Sequence, residues 1–216
     1  MKKYAFLISL ATLACTARSA PLERDLGQGL VYFRVHVLPA DLPAGAFTQN
    51  HPCVLDVRYV QGGADDASVL LGWLKFHAGP RTPVFLLANA ATSPALLAPL
   101  DSPDAVTGLV ILGSAAPRFS PDIALKVTPE RERRAYDALE KGTPVDSLIV
   151  EVLKKPRVDE EKLTREHLSD SAVADDDSDT DEPAAPQAAE AHPQLLDPVL
   201  QRAVQLDRAL LALKRL

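Results

Sequence analysis

The sequence predicts an α/β protein with a mostly parallel sheet. Two continuous apolar runs, PVFLLA at 83–88 and GLVIL at 108–112, have the character of strands covered on both faces. Between residues 64 and 77 the apolar spacing switches to that of a helix. The resulting order, strand, strand, helix, strand, helix, strand, calls for a layered domain with right-handed crossovers.

Each element has its own signal. Residues 27–37, GQGLVYFRVHV, alternate and carry β-branched and aromatic side chains, so they read as a strand, and residues 53–60 read as a second. Ala67, Leu70, Leu71 and Leu74 fall at i, i+3, i+4 and i+7, with Asp65 and Asp66 in the first turn where acids suit the helix dipole, and Gly79-Pro80 stops that helix. A strand over 83–88 ends at Asn89. Residues 93–100 then allow a short helix with Pro94 in its permissive first turn. After the strand at 108–112, residues 123–127 allow one more. A helix over 129–141 is closed by Gly142, and a second amphipathic piece follows.

The ends differ from the middle. The chain of 216 residues begins MKK, runs apolar from Tyr4 to Cys15 and reaches Ala17, Ser19 and Ala20, the layout of a secretory signal peptide over residues 1–19. The small-x-small rule favours cleavage after Ala17 or Ser19, since Arg18 obstructs a cut after Ala20. TLAC offers lipidation at Cys15 as a second route, with Thr12 departing from the usual lipoprotein pattern. Export, to the periplasm or beyond, is the expectation. Without the leader only Cys53 remains, so no internal disulfide forms, and Cys53 reads as a small core residue.

The domain expected over 20–155 is nearly balanced in charge. Residues 157–190 instead hold twelve Asp/Glu against three Lys/Arg, and DDDSDTDEPAAPQAAEA within the segment 156–193 cannot bury enough apolar surface to fold, so that segment is expected to be a disordered acidic linker. Over 194–216, DPVLQRAVQLDRALLALKRL is an amphipathic helix with Leu200, Val204 and Leu211 on one face, which needs a surface on its own domain or on another protein. No basic patch suggests nucleic acid, and nothing after the leader suggests a membrane span. No metal-ligand spacing, phosphate loop or dinucleotide fingerprint is present, so no metal and no cofactor is expected.

Several segments are suggestive together: GLVYFRVHVLP, LDVRYVQGGADDA, PVFLLANAATSPALLAPL, GLVILG, SPDIALKV and DPVLQRAVQ. In order and spacing they resemble the core of the carboxyl-terminal processing (tail-specific) serine peptidases of the Clp-protease/crotonase superfamily. Leu55, Asp56, Val57, Arg58, Gly62 and Gly63 match that family's first motif, and Pro83, Val84, Leu87, Asn89 and Thr92 match the front of its second. The likeness covers residues 28–127 and 197–210 and implies a Clp/crotonase-like core. It also implies that Gly62 and Gly63, with Asn89 and Thr92, border an oxyanion or peptide-binding site, although a glycine pair is read more plainly as a turn.

The same alignment puts Pro94 on the nucleophilic serine, Ala95 on the next residue and Leu97 on the family's glutamate. No lysine lies between Lys75 and Lys126 to serve as base, and Arg118, the nearest cation, cannot deprotonate. Ser93 is one residue from the expected place and is the remaining catalytic candidate. A set of Ser93, His77 and Asp56 can be written on paper, but His77 reads as a solvated helix-end residue, and geometry must identify a triad. His36 reads as packed or partly exposed, and His51, His167 and His192 lie in loop or tail segments. Asp56 and Arg58, charged in an apolar strand, are expected to be paired. The PDZ-type domain of such peptidases is missing. The expectation is a non-catalytic relative that binds a peptide or protein partner and self-associates, with an active serine hydrolase or a purely structural envelope protein as alternatives.

Overall fold

A computed structural model describes residues 22–43, 51–102, 105–117, 119–149 and 195–215. The leader and the acidic segment, with Cys15, Arg118, His167 and His192, lie outside the described residues.

Six strands form one sheet in chain order: β1 Leu22–Asp25, β2 Val31–Arg34, β3 Cys53–Asp56, β4 Val84–Leu87, β5 Leu109–Gly113 and β6 Ile123–Ala124. β1 runs antiparallel to β2, and every later pair is parallel. Because each new strand adds on the same side, right-handed crossovers place their helices on one common face. That face carries α1, Ala64–His77, and α2, Pro94–Leu97, which continues as a 3-10 turn over Ala98–Leu100.

β2, β3, β4 and the end of β5 are buried on both sides, and alternation divides their residues between two cores. Phe33, Leu55 and Leu86 meet Leu70, Leu74 and Leu96 under α1 and α2. Tyr32, Val54, Phe85 and Leu112 face the other way. There they are covered by α3, Pro129–Glu140, α4, Val145–Leu148, and α5, Pro198–Ala212. The C-terminal helix thus finds its partner surface on its own chain. Its buried face is Val199, Leu200, Ala203, Val204 and Asp207, while Leu211 is only half-buried.

The strands expected at GQGLVYFRVHV and over 123–127 differ in extent. The first begins as a turn: Gly27, Gln28 and Gly29 all have positive φ (83°, 56° and 86°), and the Leu26 N–H donates to the Leu30 carbonyl. This turn folds charged Leu22–Asp25 back as β1, a strand that its exposed LERD sequence conceals. β2 stops at Arg34 because the Asp41 carboxylate takes the His36 and Val37 N–H groups at 2.9 and 2.8 Å. β6 is two residues long, and Asp122 instead accepts the Ile111 N–H at 2.7 Å on that side of β5. Cys53 is buried in the core, where desolvation pushes its thiol up to about 12.

Candidate functional site

The C-terminal ends of β2 to β5 form one rim, where open parallel sheets place their ligands. At the end of β4, Asn89 builds a turn. Its side-chain oxygen accepts the Ala91 and Thr92 N–H groups at 3.0 and 3.2 Å, and its own N–H donates to Thr92 Oγ1 at 3.1 Å. Thr92 Oγ1 in turn donates to the Val57 carbonyl at 3.1 Å, which ties the turn to β3. The polar atoms of Asn89 and Thr92 therefore shape the rim.

Ser93 follows at the entrance to α2 and is nearly buried. Its N–H donates to the Val60 carbonyl at 2.9 Å, and its hydroxyl donates to the Gly62 carbonyl at 2.7 Å. Toward Ser93, Gly62 thus presents its C=O. The Gly63 N–H donates to the Asp66 carboxylate at 3.0 Å, closing the first turn of α1. Gly62 also permits a close approach: a Cβ there would lie 2.8 Å from Leu96 Cδ2.

Beside this turn lies a cleft of 330 Å3, lined by Asn89, Thr92, Pro94, Leu97, Ala116 and Phe119 among others. Its outer wall is a tight turn in which Ala116 and Phe119 exchange backbone hydrogen bonds of 2.9 and 3.0 Å. A second hollow of 470 Å3 shares Leu97, Ala116 and Phe119 and continues past Ile111 to Asp122. The two make a groove along the β5 side of the sheet, apolar at the first cleft, where Pro94 is in its lining, and more polar toward Asp101, Ser120 and Asp122.

A charged cluster sits behind the rim. Arg58 binds the Asp56 carboxylate at 2.6–3.2 Å and the Asp197 carboxylate at 2.8 and 3.2 Å, and all three side chains are buried. Tyr32 donates to Asp56 at 2.7 Å, and Arg34 donates to the Tyr32 hydroxyl, the Tyr136 carbonyl and Glu140. Burial alone would push the Asp56 carboxyl up, but the Arg58 charge and hydrogen bonds hold it below the usual value. Glu132, on α3, responds the other way: burial raises its carboxyl, its Oε1 has no hydrogen-bond partner and Arg58 Nη1 stands 3.8 Å off.

The structure separates the residues of the paper triad. His77 ends α1, whose 14 residues span about 20 Å from the rim. It is buried, not solvated as expected, because its ring stacks on Trp73 at 4.1 Å and its Nδ1 lies 2.7 Å from the Trp73 carbonyl. Asp56 is bound by Arg58 and Tyr32. His36 is partly exposed and lies 3.6 Å from Glu140, whereas Lys126 is exposed. Sequence reasoning missed Tyr59, Arg133, Tyr136 and Glu132, which line or back the rim. Only the charge of Arg34 and Arg58 within apolar strands signalled that acids must arrive from elsewhere.

Among the described residues no group of three or more His, Cys, Asp or Glu side chains is placed to hold a metal ion, and no helix is long and apolar enough to cross a membrane. Compared with protein-family models and with curated proteins, the sequence matches neither.

Proposed function

We propose that this chain is an exported, non-catalytic binding module of the cell envelope, built on a Clp/crotonase-like core similar to that of the tail-specific peptidases. Its groove holds an extended segment of a peptide or protein partner. The observation that carries this reading is the fate of the Ser93 hydroxyl, whose proton goes to the Gly62 carbonyl at 2.7 Å while Pro94 occupies the cleft beside it. A nucleophilic serine instead gives its proton to a positioned base.

Binding needs no such group. The groove supplies apolar lining at Pro94, Leu97 and Phe119. At its margin β6 pairs only with Leu112 and Gly113, which leaves Leu109–Ile111 without a neighbouring strand on that side. An extended peptide laid there donates its own N–H groups to the carbonyls of that edge, whose Ile111 and Leu109 N–H groups are held by Asp122 and by the Val106 carbonyl, and places one side chain in the cleft.

The mature chain, shown to be folded by circular dichroism, is treated with a fluorophosphonate probe beside a Ser93→Ala control and weighed intact. In parallel it is incubated with an array of random decapeptides, together with Ala116→Trp, which fills the cleft. The expected result is no adduct, with peptide retention lost in Ala116→Trp. An adduct absent from Ser93→Ala overturns the non-catalytic reading, and retention equal in both proteins overturns the groove.

A further inference from the structure

A second cleft, of 240 Å3, opens on the same rim at the ends of β2 and β3, where His36, Arg58, Tyr59, Arg133 and Tyr136 meet. The polar groups around it are donors: the Arg133 guanidinium, an imidazole and two phenols, beside the buried Arg58 guanidinium that Asp56 and Asp197 hold. Burial pushes both phenols up to about 12, so each keeps its proton at neutral pH. No carboxylate lines it. The first cleft, by contrast, is mainly apolar.

The wall of this donor cleft is built at a conformational cost. Tyr59 has φ = 67°, a left-handed backbone that bulky residues rarely adopt, and such outliers collect at ligand sites. Here it lays the Tyr59 ring against Tyr136, centroid to centroid 4.9 Å, and beneath the Arg133 guanidinium at 4.6 Å. Three guanidiniums surround the Tyr136 ring: Arg34 at 3.8 Å, Arg58 at 5.5 Å and Arg133 at 5.8 Å.

The neighbouring acids leave room for an anion. Asp56 and Asp197 stand behind Arg58, occupied by it, by Tyr32 and by the Val199 and Leu200 N–H groups. Asp137 holds Arg133 at 2.9 Å, but as a half-exposed pair four residues apart on α3, an arrangement of little strength that an incoming carboxylate can displace. Glu140 bonds to Arg34 and is 3.6 Å from His36, too long for a hydrogen bond to the imidazole. Glu132 is buried, is not in the lining and stands 3.8 Å from Arg58 Nη1, with its charge also felt at Tyr59.

The two clefts are neighbours on one rim, because the Gln61 side chain donates to the Tyr59 carbonyl at 3.4 Å and to the Ala91 carbonyl at 2.7 Å, joining the turn that carries Tyr59 to the one that Asn89 builds. One sits at β2 and β3, the other at β4 and β5. At about 4.8 Å per strand their centres are roughly 10 Å apart, which an extended peptide covers in about three residues. We infer that the donor cleft takes a carboxylate of the bound peptide, three residues from the one whose apolar side chain fills the first cleft. This rests on the groove binding a peptide, but the carboxylate site has its own test.

The 15N-labelled chain is titrated with sodium acetate at ionic strength held constant with sodium chloride. Saturable shifts are expected at His36, Tyr59 and Arg133, weakened at least fivefold in Arg133→Gln, a half-exposed position where folding is retained, and unchanged in Ala116→Trp. Linear shifts, or shifts equal in Arg133→Gln, overturn the carboxylate site and leave the groove reading standing. Three acetylated tetrapeptides then follow: Leu-Gly-Gly-Glu amide, Leu-Gly-Gly-Gly with a free terminus, and neutral Leu-Gly-Gly-Gln amide. At least one charged peptide is expected to bind fivefold more tightly than the neutral one, with the advantage lost in Arg133→Gln; the stronger of the two identifies a side-chain or a terminal carboxylate. Equal binding of all three overturns the spacing.

Discussion

Arg58, just beyond β3, and Asp197, at the start of α5, join two segments 139 residues apart through guanidinium–carboxylate hydrogen bonds of 2.8 and 3.2 Å. The same carboxylate caps α5 by accepting the Val199 and Leu200 N–H groups. One side chain therefore both starts a helix and balances a buried charge. Asp197→Ala removes both roles and leaves Arg58 hydrogen-bonded to Asp56, with Glu132 at 3.8 Å, so a loss of about 3–5 kcal/mol is expected, most of it from the lost charge partner. Asp197→Asn keeps a cap acceptor and loses only the charge. Urea midpoints should fall in the order wild type, Asn, Ala; equal values for Asn and Ala would assign the whole effect to the charge, and an Asn midpoint equal to wild type would assign it to capping.

Asp207 lies on the same helix at the end of its apolar face. Its side chain is buried and its Oδ1 has no partner, so desolvation raises its carboxyl from 3.8 to about 6, with Arg208 pulling only weakly the other way. The folded state thus holds this proton more tightly than the unfolded chain does. Below pH 4 both states are protonated and the group is neutral in its effect. Between about pH 4 and 6 the unfolded chain ionises first, and stability falls with rising pH by about 1–2 kcal/mol, less than the ~3 of a fully dry carboxyl shifted as far. Asp207→Leu should therefore raise the melting temperature at pH 7.5 and leave it nearly unchanged at pH 4. Asp56 has the opposite sign, since its lowered carboxyl gives stability that is lost as pH falls below its ordinary value. The acid limb of the stability profile should persist in the variant.

The parallel strands β3, β4 and β5 and the helix α1 were legible because each writes a simple local signal, a continuous apolar run or a 3.6-residue period. β1 was not, because at the sheet edge its LERD residues face water and carry no pattern. The need for partners at Asp56 and Arg58 was also legible, but not their identity: Asp197 follows more than a hundred residues later, and Glu132 and Tyr136 lie on α3, whose docking face the sequence left open. His77 was misplaced for a similar reason. Trp73 one turn earlier offers its ring, and a stacked imidazole at a helix end becomes buried. At the rim, Tyr59 gave no signal, since a positive φ at a tyrosine is imposed by its surroundings.

Gly62 and Gly63 answer differently to the same substitution. A Cβ on Gly62 would meet Leu96 Cδ2 at 2.8 Å and Asp66 at 3.1 Å, and Leu96, 1% exposed, has nowhere to swing. Overpacking of this kind costs about 1–3 kcal/mol. A Cβ on Gly63 meets nothing within 4 Å, and its φ of −102° suits any residue. Gly62→Ala is expected to lower the urea midpoint clearly, and Gly63→Ala to stay within about 0.5 kcal/mol of wild type. Equal losses would mean that the pair is needed for a reason other than close approach to α2.

The last expectation concerns the acidic segment. The Asp197 N–H donates to the Leu148 carbonyl at 3.0 Å, so the chain leaves α4 and returns to α5 at nearly the same point. Residues 150–194 join two ends that a short tether can also join. Replacing these 45 residues by nine of Gly and Ser shortens the closed loop about fivefold, which lowers its closure entropy by an amount worth roughly 1.4 kcal/mol. The shortened protein should therefore melt at or above the temperature of the full chain, with the Arg58–Asp197 contact intact, as read from an equal loss on Asp197→Ala in both backgrounds. A lower melting temperature would show that the acidic segment contributes contacts of its own to the folded domain.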